Sequence, residues 1–326
     1  MAGSNLRLDP EFALAYEAMN FSGTAPASKN DSEIRNDSEE SQSEMDSGSL
    51  SIPDHILRTI LPFETHDGTS LNLHHFTAVN KTNSSYGEEP AVLYVHGSGM
   101  VAGNVSVFSV MIADFVDTFG MDFFAVEYRL APEQKGQGLV EDVYHGLEHL
   151  SKHAQEHMIN PNRIAIMGQS AGGSLAAGAG LLARDRALDP PIAKQILVYP
   201  MLDDRTCVPE NSSYEEFLRW TEEDNDFAWG AVLGDDVAGD PAANVSTYAV
   251  PGRATNLTGL PPTYIDVGQL DLFVIENIAY ASKLVEAEVE VELHIFPGLP
   301  HGFEIATNVS LFQMATSARQ RALKMV

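Results

Sequence analysis

Ser170 lies in a Gly-x-Ser-x-Gly pattern over residues 168–172, which can present a serine hydroxyl for nucleophilic attack. The apolar run at 164–167 predicts a buried strand before it, and the small residues at 174–183 predict a helix after it. A serine on so sharp a turn has strained backbone, and side chains in place of the two glycines would clash with the neighbouring strand and helix. We therefore interpret Ser170 as a candidate nucleophile, with an ordinary glycine-rich turn as the alternative.

Asp271 and His301 are the partners that such a serine needs. A serine hydroxyl becomes reactive when a histidine takes its proton, and a carboxylate must hold the imidazole in the correct tautomer. Both residues follow predicted strands, so a parallel sheet would bring them to the same edge as Ser170. The order serine, acid, histidine is that of α/β hydrolases. Asp266 and His294 are the rival acid and base, but both fall inside predicted strands.

Strands and helices alternate along most of the chain, which predicts a mostly parallel, doubly wound sheet. The predicted strands cover 91–95, 123–126, 164–168, 196–200, 262–268 and 291–296, and the predicted helices cover 107–119, 139–157, 174–183, 273–286 and 311–326. A hairpin is expected over 52–77, with its turn at Asp67-Gly68. Near the N-terminus, Asp9 and Pro10 predict the start of a short helix with one apolar stripe.

Composition suggests the domain limits. Residues 22–50 are rich in Ser, Asp, Glu and Asn, which predicts an acidic linker, with a lid over bound substrate as the alternative. Residues 203–250 carry both tryptophans and no strand pattern, which favours a cap over the cleft rather than a peripheral helical pair. We expect a cap helix and linker over 1–50, a catalytic domain in two parts over 51–202 and 251–326, and a cap insertion over 203–250.

The chain has 326 residues and a formal net charge of -27, which argues against nucleic acid and anionic membranes as partners. Its one cysteine, Cys207, excludes an intramolecular disulfide. No signal-peptide pattern and no apolar run of membrane-spanning length is visible, so the expectation is a cytoplasmic protein.

Four histidines recur at every fourth residue within the predicted helix 139–157. Such a spacing places neighbours on one helix face, as metal ligands require. No cysteine or matched carboxylate completes a site, so we interpret the four as solvent-facing and expect no metal ion. They are His145, His149, His153 and His157.

Six ordered segments together resemble the hormone-sensitive-lipase group of α/β-hydrolase esterases. They are Leu8–Glu11, His96–Gly99, Tyr128–Glu133 with Glu141-Asp142, Gly168–Gly173, Gly268–Asp271 and His301–Phe303. The resemblance implies an α/β-hydrolase fold, with a mostly parallel central sheet flanked by helices and a helical cap. It also implies a serine carboxylesterase that hydrolyses small or short-acyl esters through an acyl-enzyme without a cofactor. By the same analogy, a homodimer is possible.

The resemblance also assigns an oxyanion hole to the backbone N–H groups of Ser98, Gly99 and Ala171. Two positions depart from the family pattern. Ser98 replaces a glycine of the oxyanion loop, and Gln169 stands where the family often has Asp, which removes a fixed charge beside the nucleophile. The alternative functions are a non-catalytic small-molecule receptor on the same fold, or an amidase, lactonase or acyltransferase that uses the same three residues.

Overall fold

Eight strands form one sheet in the computed structural model, which describes residues 6–19, 51–79, 89–208 and 212–326. They are β1 (Ile56–Glu64), β2 (Ser70–Ala78), β3 (Glu89–Val95), β4 (Asp122–Glu127), β5 (Ile159–Gln169), β6 (Lys194–Val198), β7 (Thr263–Gly268) and β8 (Val291–Phe296). The order across the sheet is β1-β2-β4-β3-β5-β6-β7-β8. β2 is antiparallel to both of its neighbours, and all the other pairs are parallel.

Helices cover both faces of this sheet. The described α-helices are α1 (Pro10–Ala18), α2 (Ser109–Phe119), α3 (Gln137–His153), α4 (Ala171–Asp185), α5 (Glu222–Leu233), α6 (Val274–Glu286) and α7 (Ser310–Lys324). Side chains from α3, α4, α5 and α6 pack into one apolar layer, and side chains from α1, α2 and α7 pack into the other. None of the helices in the described ranges is both long and apolar enough to cross a membrane. The predicted α/β-hydrolase fold with a mostly parallel sheet is confirmed.

The hairpin predicted over 52–77 is confirmed as β1 and β2, and the turn between them spans residues 65–69. Two helix limits differ from the prediction. α4 begins at Ala171, directly after the serine, and not at 174. The helix predicted over 139–157 ends at His153 and continues as a 3-10 turn, Ala154–His157. The predicted acidic linker at 22–50 lies outside the described residues.

The histidines of α3 and the turn after it are half-buried, so their predicted exposure to solvent is wrong. The β1–β2 hairpin packs across this face of the helix. The ring of His145 stacks on that of His66 in the hairpin turn, with centroids 5.2 Å apart, and His149 lies 5.9 Å from Phe63. The periodicity of the sequence could not reveal the hairpin because the two segments are about 80 residues apart in the chain.

One group of side chains in this region has ligand atoms within 4.8 Å of one another, namely His66, Glu141 and His145. Two of its three members, Glu141 and His145, already have hydrogen-bond partners. Both carboxylate oxygens of Glu141 accept hydrogen bonds from Arg186, at 2.6 and 2.7 Å. The Nδ1 atom of His145 lies 2.6 Å from the backbone oxygen of Glu141. A metal ion would have to displace these contacts, so the absence of a metal requirement stays our prediction.

α1 docks on the main domain, close to the segment that carries His301. Its N-cap is Asp9, whose Oδ1 accepts from the N–H groups of Glu11 and Phe12 at 3.0 Å. The N–H of Asp9 donates to the backbone oxygen of Gly298 at 2.9 Å. Phe12 is 1% exposed within the apolar layer. The apolar stripe predicted for this helix therefore has its partner in the main domain.

Candidate active site

Ser170 sits on the tight turn between β5 and α4, with a φ of 54°. The flanking glycines are required by close approach. A Cβ on Gly168 would lie 2.1 Å from the backbone oxygen of Gly172, and a Cβ on Gly172 would lie 2.2 Å from that of Val95. The first contact is with the helix and the second with the neighbouring strand, as the sequence pattern predicted. The turn is thus compressed between both elements.

The structure brings Ser170, Asp271 and His301 together at the carboxyl edge of the sheet. The Nε2 atom of His301 lies 3.0 Å from the Oγ of Ser170, and its Nδ1 lies 2.7 Å from the Oδ2 of Asp271. The other carboxylate oxygen, Oδ1, accepts from the N–H of Phe273 at 2.9 Å. Asp271 is 1% exposed and Ser170 is 8% exposed. This geometry allows the imidazole to take the serine proton while the carboxylate orients the ring.

Two aromatic rings hold the imidazole of His301. Tyr199 meets it edge to face, with centroids 4.6 Å apart, and Phe273 does so at 5.2 Å. Neither residue is predicted from the sequence to take part in the site. The sequence does contain one indication for Tyr199. It directly follows β6, as Ser170 directly follows β5, which places both residues at the same edge of the sheet.

The rival acid and base are in other places. Asp266 is fully buried inside the fold, where its carboxylate accepts from the guanidinium of Arg319 at 2.6 and 2.8 Å. His294 lies on β8, and its Nε2 is 2.6 Å from the carboxylate of Glu292. Neither residue contacts Ser170, so the structure favours Asp271 and His301.

The predicted oxyanion residues lie on two segments beside Ser170. Ser98 and Gly99 both have left-handed backbone, with φ of 74° and 66°. Ser98 therefore keeps a backbone conformation that glycine adopts more easily. The cost of this conformation for serine is on the order of 1 kcal/mol relative to glycine. Ala171 is the first residue of α4, where an N–H has no acceptor within the helix. In the described part of the chain, the N–H groups of all three are left without an acceptor.

His96 and Tyr128 anchor the start of this loop. The hydroxyl of Tyr128 donates to the backbone oxygens of His96 and Gly97, at 3.0 and 3.2 Å. The two rings stack with centroids 4.3 Å apart. The Nδ1–H of His96 donates to the oxygen of Gly97 at 3.0 Å. Burial lowers the pKa of His96 to about 4, so the ring is neutral near pH 7.

Two side chains from residues 203–250 reach the site. A Cβ on Gly99 would lie 2.7 Å from Cη2 of Trp220, so the indole lies directly against the oxyanion loop. Arg219 donates to the backbone oxygen of His301 at 3.2 Å. The second tryptophan, Trp229 on α5, is fully buried in the core. The segment therefore packs on the main domain and meets both the oxyanion loop and the histidine loop.

A serine on a tight strand–helix turn, followed by an acid and a histidine after two later parallel strands, is the arrangement of α/β-hydrolase-fold proteins. A family model described as alpha/beta hydrolase fold matches residues 92–305. The chain is 32% identical over 247 residues to the esterase LipI of Mycobacterium tuberculosis, which covers 72% of each chain. It belongs to the hormone-sensitive-lipase-like family of α/β-hydrolase-fold carboxylesterases.

The chain is also similar to a solved structure and to a further relative. A bacterial heroin esterase has a TM-score of 0.83 and 33% sequence identity, with 97% of this chain and 96% of that chain covered. The ethyl acetate hydrolase of Pseudomonas putida is 28% identical over 214 residues, or 65% of each chain.

Proposed function

We propose that the protein is a serine carboxylesterase that hydrolyses small or short-acyl esters through an acyl-enzyme. The observation that carries this proposal is the unbroken contact from Ser170 Oγ through both nitrogens of His301 to the carboxylate of Asp271. The esterases among its relatives support the same reaction class.

In the proposed reaction, Ser170 Oγ bonds to the ester carbonyl carbon while His301 Nε2 takes the hydroxyl proton. The oxyanion that forms accepts hydrogen bonds from the N–H groups of Ser98, Gly99 and Ala171. The bond to the alcohol oxygen then breaks, and the alcohol leaves with the proton from His301. A water molecule repeats these steps on the acyl-enzyme, which releases the acid and restores the serine. No cofactor takes part.

The preference for small acyl groups has two supports. The indole of Trp220 fills the space beside Gly99, which restricts the room around a bound carbonyl. One relative is named for the hydrolysis of ethyl acetate, an ester of a two-carbon acid. We expect kcat/KM to fall from p-nitrophenyl acetate and butyrate to the decanoate. A Trp220→Ala variant that gains activity on the decanoate relative to the acetate would show that this ring limits the length of the acyl group.

Ser170→Ala tests the nucleophile, with Ser174→Ala as a matched control. Ser174 is also buried, one turn along α4, and its hydroxyl lacks a hydrogen-bond partner among the described residues. Acetate hydrolysis should fall by at least about a thousandfold in the first variant and stay close to native in the second. Equal activity in native protein and Ser170→Ala would refute the assignment. A native protein that binds esters without hydrolysing them would be a receptor. Hydrolysis of amides or lactones, or acyl transfer to an acceptor, would instead indicate an amidase, a lactonase or an acyltransferase.

We further propose that α1 and residues 203–250 together form the cap, and that β8 is the contact edge of a homodimer. The cap proposal is supported by the contacts of Trp220 and Arg219 with the site.

The dimer proposal is supported by the position of β8 at the end of the sheet, where Ile295 is 40% exposed. Light scattering should give twice the chain mass, and Ile295→Lys should reduce it to the single chain.

A further inference from the structure

A chain of hydrogen-bonded polar side chains runs beside the candidate catalytic serine and histidine, and all of its members are buried except Glu304, which is half-buried. It begins at Tyr94 on β3, passes through Gln169 at the end of β5 and Tyr199 after β6, and ends at Glu304 and Arg319. Gln169 precedes Ser170 in the sequence, and Tyr199 packs against the ring of His301. The same chain therefore touches both ends of the contact between serine and histidine.

Each hydrogen bond in this chain has a direction. The hydroxyl of Tyr94 donates to the Oε1 of Gln169. The Nε2 of Gln169 donates to the Oη of Tyr199 at 3.3 Å. The hydroxyl of Tyr199 donates to the Oε2 of Glu304 at 2.7 Å. Each of these three hydrogen bonds thus joins a donor to an acceptor, as buried polar groups require.

The buried ion pairs at the far end set this direction. Arg319 is 1% exposed, and its Nη2 lies 2.9 Å from the Oε1 of Glu304. It also pairs with Asp266 at 2.6 Å. A carboxylate beside a buried guanidinium acts as an acceptor only, so the single proton of Tyr199 must point towards Glu304. The oxygen of Tyr199 must then receive its own hydrogen bond from residue 169.

Only a side chain with an N–H or O–H donor satisfies that requirement. An ionised Asp at 169 would face the oxygen of Tyr199 with no proton between them, which leaves buried acceptors unpaired. The amide of Gln169 supplies one donor and one acceptor at the same time.

We propose that Gln169 and Tyr199 are positioning residues that hold Ser170 and His301 at reacting distance, and that their hydrogen-bond direction is set by Glu304. The inference rests on the proposed esterase function. Gln169 fixes the turn that carries Ser170, since it is hydrogen-bonded to Tyr94 on β3 and to Tyr199 directly after β6, and these two strands flank β5. Tyr199 fixes the imidazole plane through its ring, and its hydroxyl is locked between Gln169 and Glu304.

The first test removes the amide from Gln169 and from a matched control. Gln195 on β6 is also a fully buried glutamine, and its Nε2 donates to Thr263 at 3.1 Å, away from the site. Both Gln169→Leu and Gln195→Leu should lower the melting temperature. Only Gln169→Leu should lower kcat, by roughly ten- to a hundredfold with KM within about threefold, because a misplaced reacting pair slows the chemical step. A folded Gln169→Leu variant with native kcat would overturn the proposal.

The second test exchanges the amide and the acid. Gln169→Glu alone puts an acceptor opposite Tyr199 and should lower kcat at pH 8. The double variant Gln169→Glu with Glu304→Gln conserves charge and reverses only the two hydrogen bonds of Tyr199. The amide introduced at position 304 would donate to Tyr199, Tyr199 would donate to the carboxylate at position 169, and Tyr94 would still donate to residue 169. It should be several-fold more active than Gln169→Glu alone. Equal activity of the two variants would refute the directed chain.

These outcomes are separate from those of the proposed function. Native activity and its loss in Ser170→Ala test the esterase assignment. The ratios between the variants at 169, 195 and 304 and the native enzyme test the positioning chain. Tyr199→Phe, which keeps the ring against His301, should lose less activity than Tyr199→Leu, and the reverse order would contradict the role given to the ring.

Discussion

The guanidinium of Arg219 donates hydrogen bonds to the backbone oxygens of His301 and Gly302, at 3.2 and 2.9 Å. The same group lies over the ring of Tyr16 on α1, 5.6 Å from its centroid. One side chain of the segment 203–250 therefore joins the N-terminal helix to the loop that carries the candidate base. Cation–ring contact and charged hydrogen bonds both favour this fixed position.

Replacing Arg219 should loosen the histidine loop without removing any reacting group. We expect Arg219→Ala to lower kcat/KM for p-nitrophenyl acetate by roughly tenfold, since hydrogen bonds from a charged donor are lost. Arg205→Ala is the control, because Arg205 lies in the same segment but bonds only to Asp203 among the described residues. If both variants kept native kinetics, the contact with His301 would have no part in catalysis.

Gly99 should tolerate no side chain. Its φ is 66°, and an added Cβ would lie 2.7 Å from the indole of Trp220. Gly99→Ala should therefore displace an oxyanion N–H and lower kcat by about a hundred- to a thousandfold. The double variant Gly99→Ala with Trp220→Leu relieves the clash and should recover part of this loss. No recovery would mean that backbone strain alone, and not the indole, constrains the loop.

The sequence predicted the sheet, the serine turn and the three candidate catalytic residues because each depends on local pattern or on strand order. Ser170, Asp271 and His301 all follow strands, and parallel strands end at one edge. The contacts that fix them could not be predicted in this way. Gln169, Tyr199 and Glu304 meet only after strands from distant parts of the chain have paired. A glutamine or tyrosine at the end of a strand has no spacing rule that reveals its partner.

The histidine stripe of α3 shows the same limit of prediction from local sequence. A spacing of four correctly places His145 and His149 on one face, but it does not say what covers that face. The β1–β2 hairpin does so, with His66 against His145. Local periodicity therefore predicted the helix, and tertiary packing determined its environment.

His96 should make the protein less stable as the pH falls. Its pKa is about 4 in the folded state because the ring is buried, and about 6.5 when the chain is unfolded. The folded state therefore resists a proton that the unfolded state accepts. The stabilisation is complete above pH 6.5 and is lost towards pH 4, with a loss of roughly 2 kcal/mol by pH 5.

Urea unfolding at pH 7.5 and pH 5 measures this loss. His96→Phe keeps a ring against Tyr128 but carries no titrating nitrogen, so its free energy of unfolding should change less between the two pH values than that of the native protein. His55→Gln is the control, because the side chain of His55 is 56% exposed. A His96→Phe variant that retained the full native pH dependence would assign the effect to other groups.

The docking of α1 should depend on Phe12. This ring is 1% exposed and stacks on Tyr16 at 5.9 Å, whereas Leu14 on the same helix is 69% exposed. Phe12→Ala removes the buried ring and should release the helix, because losing such a ring costs about 3–5 kcal/mol. Hydrogen exchange should then show fast exchange of the amides at 11–18, and Tyr16 should no longer support Arg219, so kcat/KM should fall towards the value of Arg219→Ala. Leu14→Ala should leave both readouts unchanged. Fast exchange in Phe12→Ala together with native kcat/KM would show that α1 binds the domain without influencing the histidine loop.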